Sequence, residues 1–185
     1  AKISFTGSSA VGEHLVTAGA ATLKRVTLEL GGKSPTVVLE DADFAGVMPL
    51  VLQAGFANSG QACIAGTRIL VPRARLAECE QIAREAVSHI KSGDPSKSDT
   101  DIGPMVSAKQ WERVQSYIRL GQAEGAKLLA GGEGRPEGLH RGWFVKPTIF
   151  TGATNQMRIA RKEIFGPVLT VIPYEDEADA IAIAN

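Results

Sequence analysis

The chain carries no excess of either charge, with twenty Lys and Arg balanced by twenty Asp and Glu among 185 residues. With a sequence pI near 7.1, no net field draws it to a nucleic-acid backbone or an anionic membrane surface. Its densest basic stretches, Arg73-Ala-Arg75 and Arg158 to Lys162, are short and interleaved with apolar residues, so they read as solvated faces. No run approaches the roughly 18 apolar residues of a spanning helix, and the first residues lack the form of a secretory leader. A soluble, cytoplasmic protein with neither nucleic-acid nor membrane partners is expected.

Cysteine is scarce, and the two present, Cys63 and Cys79, lie in such different neighbourhoods that they read as separate thiols in a reducing compartment. The three histidines, His14, His89 and His140, share no short spacing with one another or with the cysteines, so no metal site is expected. A Gly-x-Ser-x-Gly elbow is missing, which removes support for a serine hydrolase. Internal repeats and low-complexity tracts are also missing. What remains, 44% hydrophobic and 22% charged residues with mean hydropathy near zero, is the composition of a folded globular domain.

Strand-like and helix-like patterns alternate along the chain. Ile3 to Thr6 reads as a strand, followed by a glycine turn and a helix to about Thr22 capped by Ser8 or Ser9. Arg25 to Leu30 and Thr36 to Leu39 read as strands separated by Gly31-Gly32 and Pro35. Asp43 is placed to cap a helix to about Asn58, and Thr67 to Val71 is again a strand, closed by Pro72. A helix from about Ala74 to Lys91 aligns Leu76, Cys79, Ile82, Ala83, Ala86, Val87 and Ile90 on one side. After a polar connection, a helix is expected from about Ser107 to Glu124, then strands at Lys127 to Ala130 and Phe144 to Phe150 around a Gly-rich loop. Val168 to Ile172 is a last apolar strand, and a helix-like pattern runs toward Asn185. Such alternation implies an α/β fold, a mostly parallel sheet with flanking helices. Both ends read as cut, the first in a strand and the last in a helix, so a segment of something longer is expected.

Four places can carry chemistry. Cys63 sits in Asn58-Ser-Gly60-Gln-Ala-Cys63-Ile-Ala-Gly66, a small-residue loop where amide side chains and free backbone N–H groups can stabilise an oxyanion beside the sulfur. A small core cysteine is the competing reading. Glu29 is a carboxylate inside an apolar strand; in a strand buried on both faces, desolvation would tune it toward general-base work, whereas on an edge it simply faces solvent. Gly7 to Gly12 joins a strand to a helix, so its backbone N–H groups can point at a phosphate, although the turn is neither a P-loop nor a Gly-x-Gly-x-x-Gly fingerprint. Glu163-Ile-Phe165-Gly166-Pro167 offers an aromatic ring to stack on a flat ligand and a carboxylate to accept from hydroxyls; equally, Phe165 can plug the core.

Together, Phe5-Thr-Gly-Ser8, Leu28-Glu-Leu-Gly-Gly-Lys-Ser-Pro35, Gly60-Gln-Ala-Cys63 and Glu163-Ile-Phe-Gly-Pro167 resemble the aldehyde dehydrogenase superfamily, in the same order and over essentially the whole chain. The resemblance implies an aldehyde dehydrogenase-like fold, incomplete at both ends. It assigns residues 1–32 to the C-terminal tail of a dinucleotide-binding domain and 33–185 to an incomplete catalytic domain. It implies that Cys63 attacks a small-molecule aldehyde, that hydride passes to NAD or NADP, and that Glu29 activates the water that hydrolyses the resulting thioester to an acid. The presence of Glu29 favours this outcome over transfer to coenzyme A.

The same resemblance sets Gly7 and Ser8 against the cofactor pyrophosphate, Leu30 and Gly31 beside the nicotinamide, and Glu163 on its ribose. Phe165 packs near the nicotinamide end, while Gln110 and Arg113 match positions near the adenosine-side ribose. The superfamily's enzymes are longer, supply an oxyanion-hole asparagine and ribose-gripping residues from upstream, and assemble as homo-oligomers. The segment alone is therefore expected to show little dehydrogenase activity and weak cofactor affinity. The rival expectation is a non-catalytic folded fragment or assembly module, with Cys63 a residual thiol.

Overall fold

A computed structural model describes all residues from Ala1 to Asn185, which divide into two compact units, 1–32 and 33–185. In the first unit, β1 (Lys2–Gly7) and β2 (Arg25–Leu30) pair in parallel on either side of α1 (Ser9–Ala20). Alternation decides which side chains meet the helix. Ile3, Phe5, Val26, Leu28 and Leu30 are half-buried, whereas the intervening residues, Glu29 among them, are exposed. Helix α1 approaches closely through Gly12, where a Cβ would stand 2.8 Å from Leu30 Cδ2.

The second unit holds a five-stranded sheet in the order β3 (Pro35–Val37), β4 (Arg68–Pro72), β7 (Val168–Tyr174), β6 (Thr148–Thr151), β5 (Lys127–Ala130). Every pairing is parallel except that of β5 with β6. Helices α2 (Phe44–Phe56) and α3 (Leu76–Ser88) share one cluster with the sheet, in which Phe44, Met48, Leu52, Cys79 and Ala83 pack with Ile69, Leu169 and Val171. Helix α4 (Ala108–Ala123) and the single turn α5 (Arg158–Arg161) belong to another, where Val114, Ile118 and Ile159 meet Phe150, Val168 and Ile172. Strand β7 thus sends alternate residues to two clusters, as a strand covered on both faces must. Each buried aliphatic side chain contributes about 1.5–3 kcal/mol relative to exposure. Helix α6 (Glu177–Ala184) closes the chain, with the Asp176 carboxylate accepting from Asp179 N–H.

The architecture is the expected α/β arrangement, and the departures from the expected elements are local. Ser8 and Asp43 occupy N-cap positions with extended backbone, yet neither side chain makes a capping bond. The Ser107 hydroxyl does, accepting from Gln110 N–H at 3.2 Å. Helix α2 stops at Phe56 rather than near Asn58, because Ala57 leaves the helical region and Asn58 and Ser59 both turn left-handed. The strand expected over Phe144 to Phe150 is confined to Thr148–Thr151. Pro147 has no N–H to give a ladder, and the Phe144 carbonyl is taken by Trp111 Nε1 at 2.8 Å. The turn α5 carries too few residues to show helical periodicity.

Candidate functional site

Cys63 lies exposed on the loop between α2 and β4, and that loop is held from several sides. Asn58, Ser59 and Gly60 all have positive φ, an arrangement costly for the two non-glycine residues. Hydrogen bonds hold it in place. The Asn58 amide donates to the Gln61 carbonyl at 3.0 Å, and the buried Ser59 hydroxyl donates to the Gly103 carbonyl at 3.1 Å. Gln61 Oε1 accepts from Val106 N–H at 3.0 Å. Gly60 is required by packing as well as by its φ of +68°, since a Cβ there would lie 2.2 Å from the Gly166 carbonyl oxygen.

These bonds revise the expectation that amide side chains stand ready beside the thiol. Asn58 and Gln61 spend their polar groups on the loop itself and on Val106, so they fix Cys63 in place. The Cys63 N–H is taken by no acceptor within the chain. Cys79 has the opposite surroundings, fully buried in the stripe of α3 with its Sγ 3.9 Å from Met48 Sδ. Burial, reinforced by the nearby Glu80 and Glu78 carboxylates, pushes its thiol up to about 12.

Glu163 and Phe165 lie on the turn that enters β7, and α4 secures it. Gln110 Nε2 donates to the Ile164 carbonyl at 3.0 Å and to the Phe165 carbonyl at 2.6 Å, while Arg113 Nη2 donates to the Glu163 carbonyl at 2.6 Å. Three successive carbonyls are thereby gripped from one helix. The grip holds Phe165 at a positive φ of 59°, with its side chain 36% exposed, so the ring is not a core plug. Gly166 packs against α4 so tightly that a Cβ would come 2.4 Å from Val114 Cγ2. The structure therefore brings Gln110, Arg113, Glu163 and Phe165 into one cluster, joined to the Cys63 loop through Gly60 and Gly166.

Gly7, Ser8, Glu29, Leu30 and Gly31 belong to the first unit. With no side-chain cap at Ser8, the first backbone bond of α1 runs from Gly12 N–H to the Ser8 carbonyl at 3.0 Å, leaving the N–H groups of the opening turn free for an anion. Leu30 is half-buried against α1. Glu29 is exposed within this chain, the solvent-facing one of the two alternatives: β1 and β2 form a two-stranded sheet with α1 on the face opposite Glu29.

Sequence reasoning missed Lys33 and Arg68. The Lys33 ammonium is closed to solvent without a hydrogen-bond acceptor, and its pKa falls to about 7. Desolvation is the main cause, repulsion by Arg68 adds to it, and attraction by Glu163 opposes it. Arg68, 8% exposed, donates to the carbonyls of Lys33, Ile183 and Ala184 and to Asn155 Oδ1. A cation interrupting an apolar run, as Arg68 does before Ile-Leu-Val, was the available signal. No group of three or more His, Cys, Asp and Glu side chains is placed to hold a metal ion.

The model of the Aldehyde dehydrogenase family matches residues 1–185. A 3-succinoylsemialdehyde-pyridine dehydrogenase from a Pseudomonas species is 52% identical over 183 residues, covering 99% of this chain and 38% of its own length. Aldehyde dehydrogenase C of Pseudomonas syringae, a cysteine-to-alanine mutant crystallised with NAD+ and octanal, superposes with TM-score 0.98 at 49% identity over 100% of this chain and 38% of that one. An aldehyde dehydrogenase of Mycobacterium tuberculosis in complex with NAD+ gives TM-score 0.96 at 50% identity, with the same coverage. The chain spans about 38% of the length of these relatives.

Proposed function

The chain belongs to the aldehyde dehydrogenase family, and we propose that it carries the catalytic core of an enzyme that oxidises an aldehyde to a carboxylic acid with NAD or NADP. In this reading residues 1–32 are the C-terminal tail of its dinucleotide-binding domain and 33–185 an incomplete catalytic domain. The observation that carries this reading is the exposed Cys63, held on a strained loop with its own N–H unspent.

Cys63 Sγ, as thiolate, adds to the aldehyde carbon to give a thiohemiacetal, and the new oxyanion accepts from the Cys63 N–H. NAD or NADP, when bound, supplies the acceptor for the hydride that leaves this carbon, and the oxyanion collapses to a thioester on Cys63. Glu29 takes a proton from water, whose oxygen attacks the thioester carbon; the C–S bond breaks, and the carboxylic acid and the Cys63 thiolate are released.

Several features fit the cofactor. The uncapped opening turn of α1, with Gly7 and Ser8, suits a pyrophosphate, and Leu30 and Gly31 follow Glu29 toward the nicotinamide. Glu163 has a carboxylate for ribose hydroxyls, and Phe165 an exposed ring to limit the nicotinamide end. For Gln110 and Arg113, the bonds to the carbonyls of residues 163–165 favour a positioning role over direct ribose contact. The substrate class is a small-molecule aldehyde and the intact enzyme a homo-oligomer working in the cytoplasm.

The test is to mix the intact protein with an aldehyde and NAD, quench with acid, and map the adduct by mass spectrometry. An acyl group on Cys63 that is lost in Cys63→Ala supports the reading; turnover surviving Cys63→Ala rejects it, in favour of a non-catalytic module of the same family.

A further inference from the structure

Cys63 and Ile64 are the central residues of a tight turn, which the Ala65 N–H closes by donating to the Ala62 carbonyl at 3.2 Å. Such a turn uses the N–H of its fourth residue, so that of its second, Cys63, stays unspent. Both corner side chains are exposed, and the corner takes its place from its stems. The downstream stem is held by backbone and packing: Thr67 N–H donates to the Ala65 carbonyl at 2.8 Å, and a Cβ on Gly66 would stand 2.2 Å from Thr36 Oγ1 on β3. The upstream stem is held by Gln61. Its Oε1 accepts from Val106 N–H at 3.0 Å, and for residues 61 to 65 this is the one hydrogen bond that reaches outside the loop.

The donor is itself a fixed point. Met105, before it, is buried with its N–H on the Trp143 carbonyl at 2.9 Å, and Ser107, after it, caps α4. The Gln61 amide is oriented from both ends, because Nε2 reaches back to the Asn58 carbonyl at 3.5 Å while Oε1 takes the Val106 N–H. We propose that, on the dehydrogenase reading above, Gln61 is a positioning residue for Cys63: its carboxamide oxygen fixes the upstream stem of the turn and so sets where the sulfur and the Cys63 N–H stand when the aldehyde carbon is attacked. The Asn58 and Ser59 bonds secure the left-handed turn that precedes this stem, and the turn at 163–165 has its own hold on α4 through Gln110 and Arg113. Loss of the Gln61 tie therefore acts on the attacking group and spares the cofactor side. A displacement of about 1 Å is enough to slow a reaction about 10²-fold.

The test is the rate of the NADH burst when the intact enzyme is mixed with an aldehyde and NAD, each variant read on the plateau of its own pH profile. Gln61→Met keeps the length of the side chain without its acceptor, and Gln61→Asn keeps an amide too short to reach Val106. Both slow the burst by about 10–10²-fold and leave the KM for NAD unchanged. Gln61→Glu, which retains an acceptor oxygen at the same reach, returns most of the rate. A wild-type burst in Gln61→Met and Gln61→Asn overturns the proposal, and so does a Gln61→Glu enzyme as slow as Gln61→Met, the result that loss of packing alone predicts. A KM for NAD that rises in step with the lost rate overturns it too. An unsubstituted enzyme with neither a burst nor an acyl group on Cys63 rejects the dehydrogenase reading itself, and the role of Gln61 with it.

Discussion

Gly60 and Gly166 meet backbone to backbone: a Cβ on Gly60 would stand 2.2 Å from the Gly166 carbonyl oxygen, closer than any real side chain sits. Their contact joins the loop that bears Cys63 to the turn that bears Glu163 and Phe165. Two segments a hundred residues apart are thereby set against each other without any side chain between them.

Gly60→Ala tests that junction. The methyl group meets backbone that cannot swing aside, at a residue whose φ is +68°, so a loss of about 1–3 kcal/mol is expected in urea unfolding. The Cys63 alkylation rate should change along with stability, because the same loop positions the thiol. Wild-type stability together with wild-type alkylation would mean that the contact does not organise the loop.

The two cysteines should separate sharply. Iodoacetamide at neutral pH should modify Cys63 in the folded chain and reach Cys79 only on unfolding, because Cys79 is buried and its thiol is pushed up to about 12. Accessibility alone explains that order. The stricter comparison is with a free cysteine in a short peptide: a Cys63 that reacts faster than the peptide thiol has an activated setting, and one that does not is a residual thiol.

Stability should rise with pH from about 7 to about 9. Between its folded pKa near 7 and its unfolded value of 10.5, Lys33 binds more protons in the unfolded state, so deprotonation there favours the fold. Above 9.0, Cys79 acts the other way: the unfolded thiol ionises while the folded one keeps its proton, and the two effects oppose each other up to 10.5. Lys33→Met should therefore stabilise the chain by a few kcal/mol below pH 7 and flatten the rise between 7 and 9. Chemical denaturation across that range checks both, and a rise that persists in Lys33→Met would contradict the assignment.

Gln110→Ala and Arg113→Ala each release part of the grip on the turn at 163–165. Each bond lost is worth about 0.5–1.5 kcal/mol, somewhat more for the charged donor. In the intact enzyme the expected signature is a raised KM for NAD with a smaller effect on kcat, since the groups set Glu163 and Phe165 without touching the reacting carbon. An unchanged KM for NAD would leave the grip with a purely structural role.

Much of the fold could be read from the sequence because its signals are local. The apolar runs of β4 and β7, the stripe from Leu76 to Ile90 and the break at Pro35 each declare themselves within a few residues. The candidate site was legible for a different reason, through whole motifs that resemble a family. What could not be read depends on contacts remote in sequence. Glu29 faces solvent because of which face α1 covers, and the grip of Gln110 spans more than fifty residues. The exposure of Phe165 and the isolation of the Lys33 ammonium are set by packing in the same way.

The division of labour between Cys63 and Glu29 is tested most directly by a rapid-mixing comparison of the intact enzyme with Glu29→Gln. In the proposed mechanism Glu29 acts only after hydride transfer, so the initial burst of NADH should persist in the variant while steady-state turnover, slowed at thioester hydrolysis, falls by about 10²–10⁴-fold. Equal loss of burst and turnover would contradict the account, as it would place Glu29 in the first half of the reaction or in the structure itself.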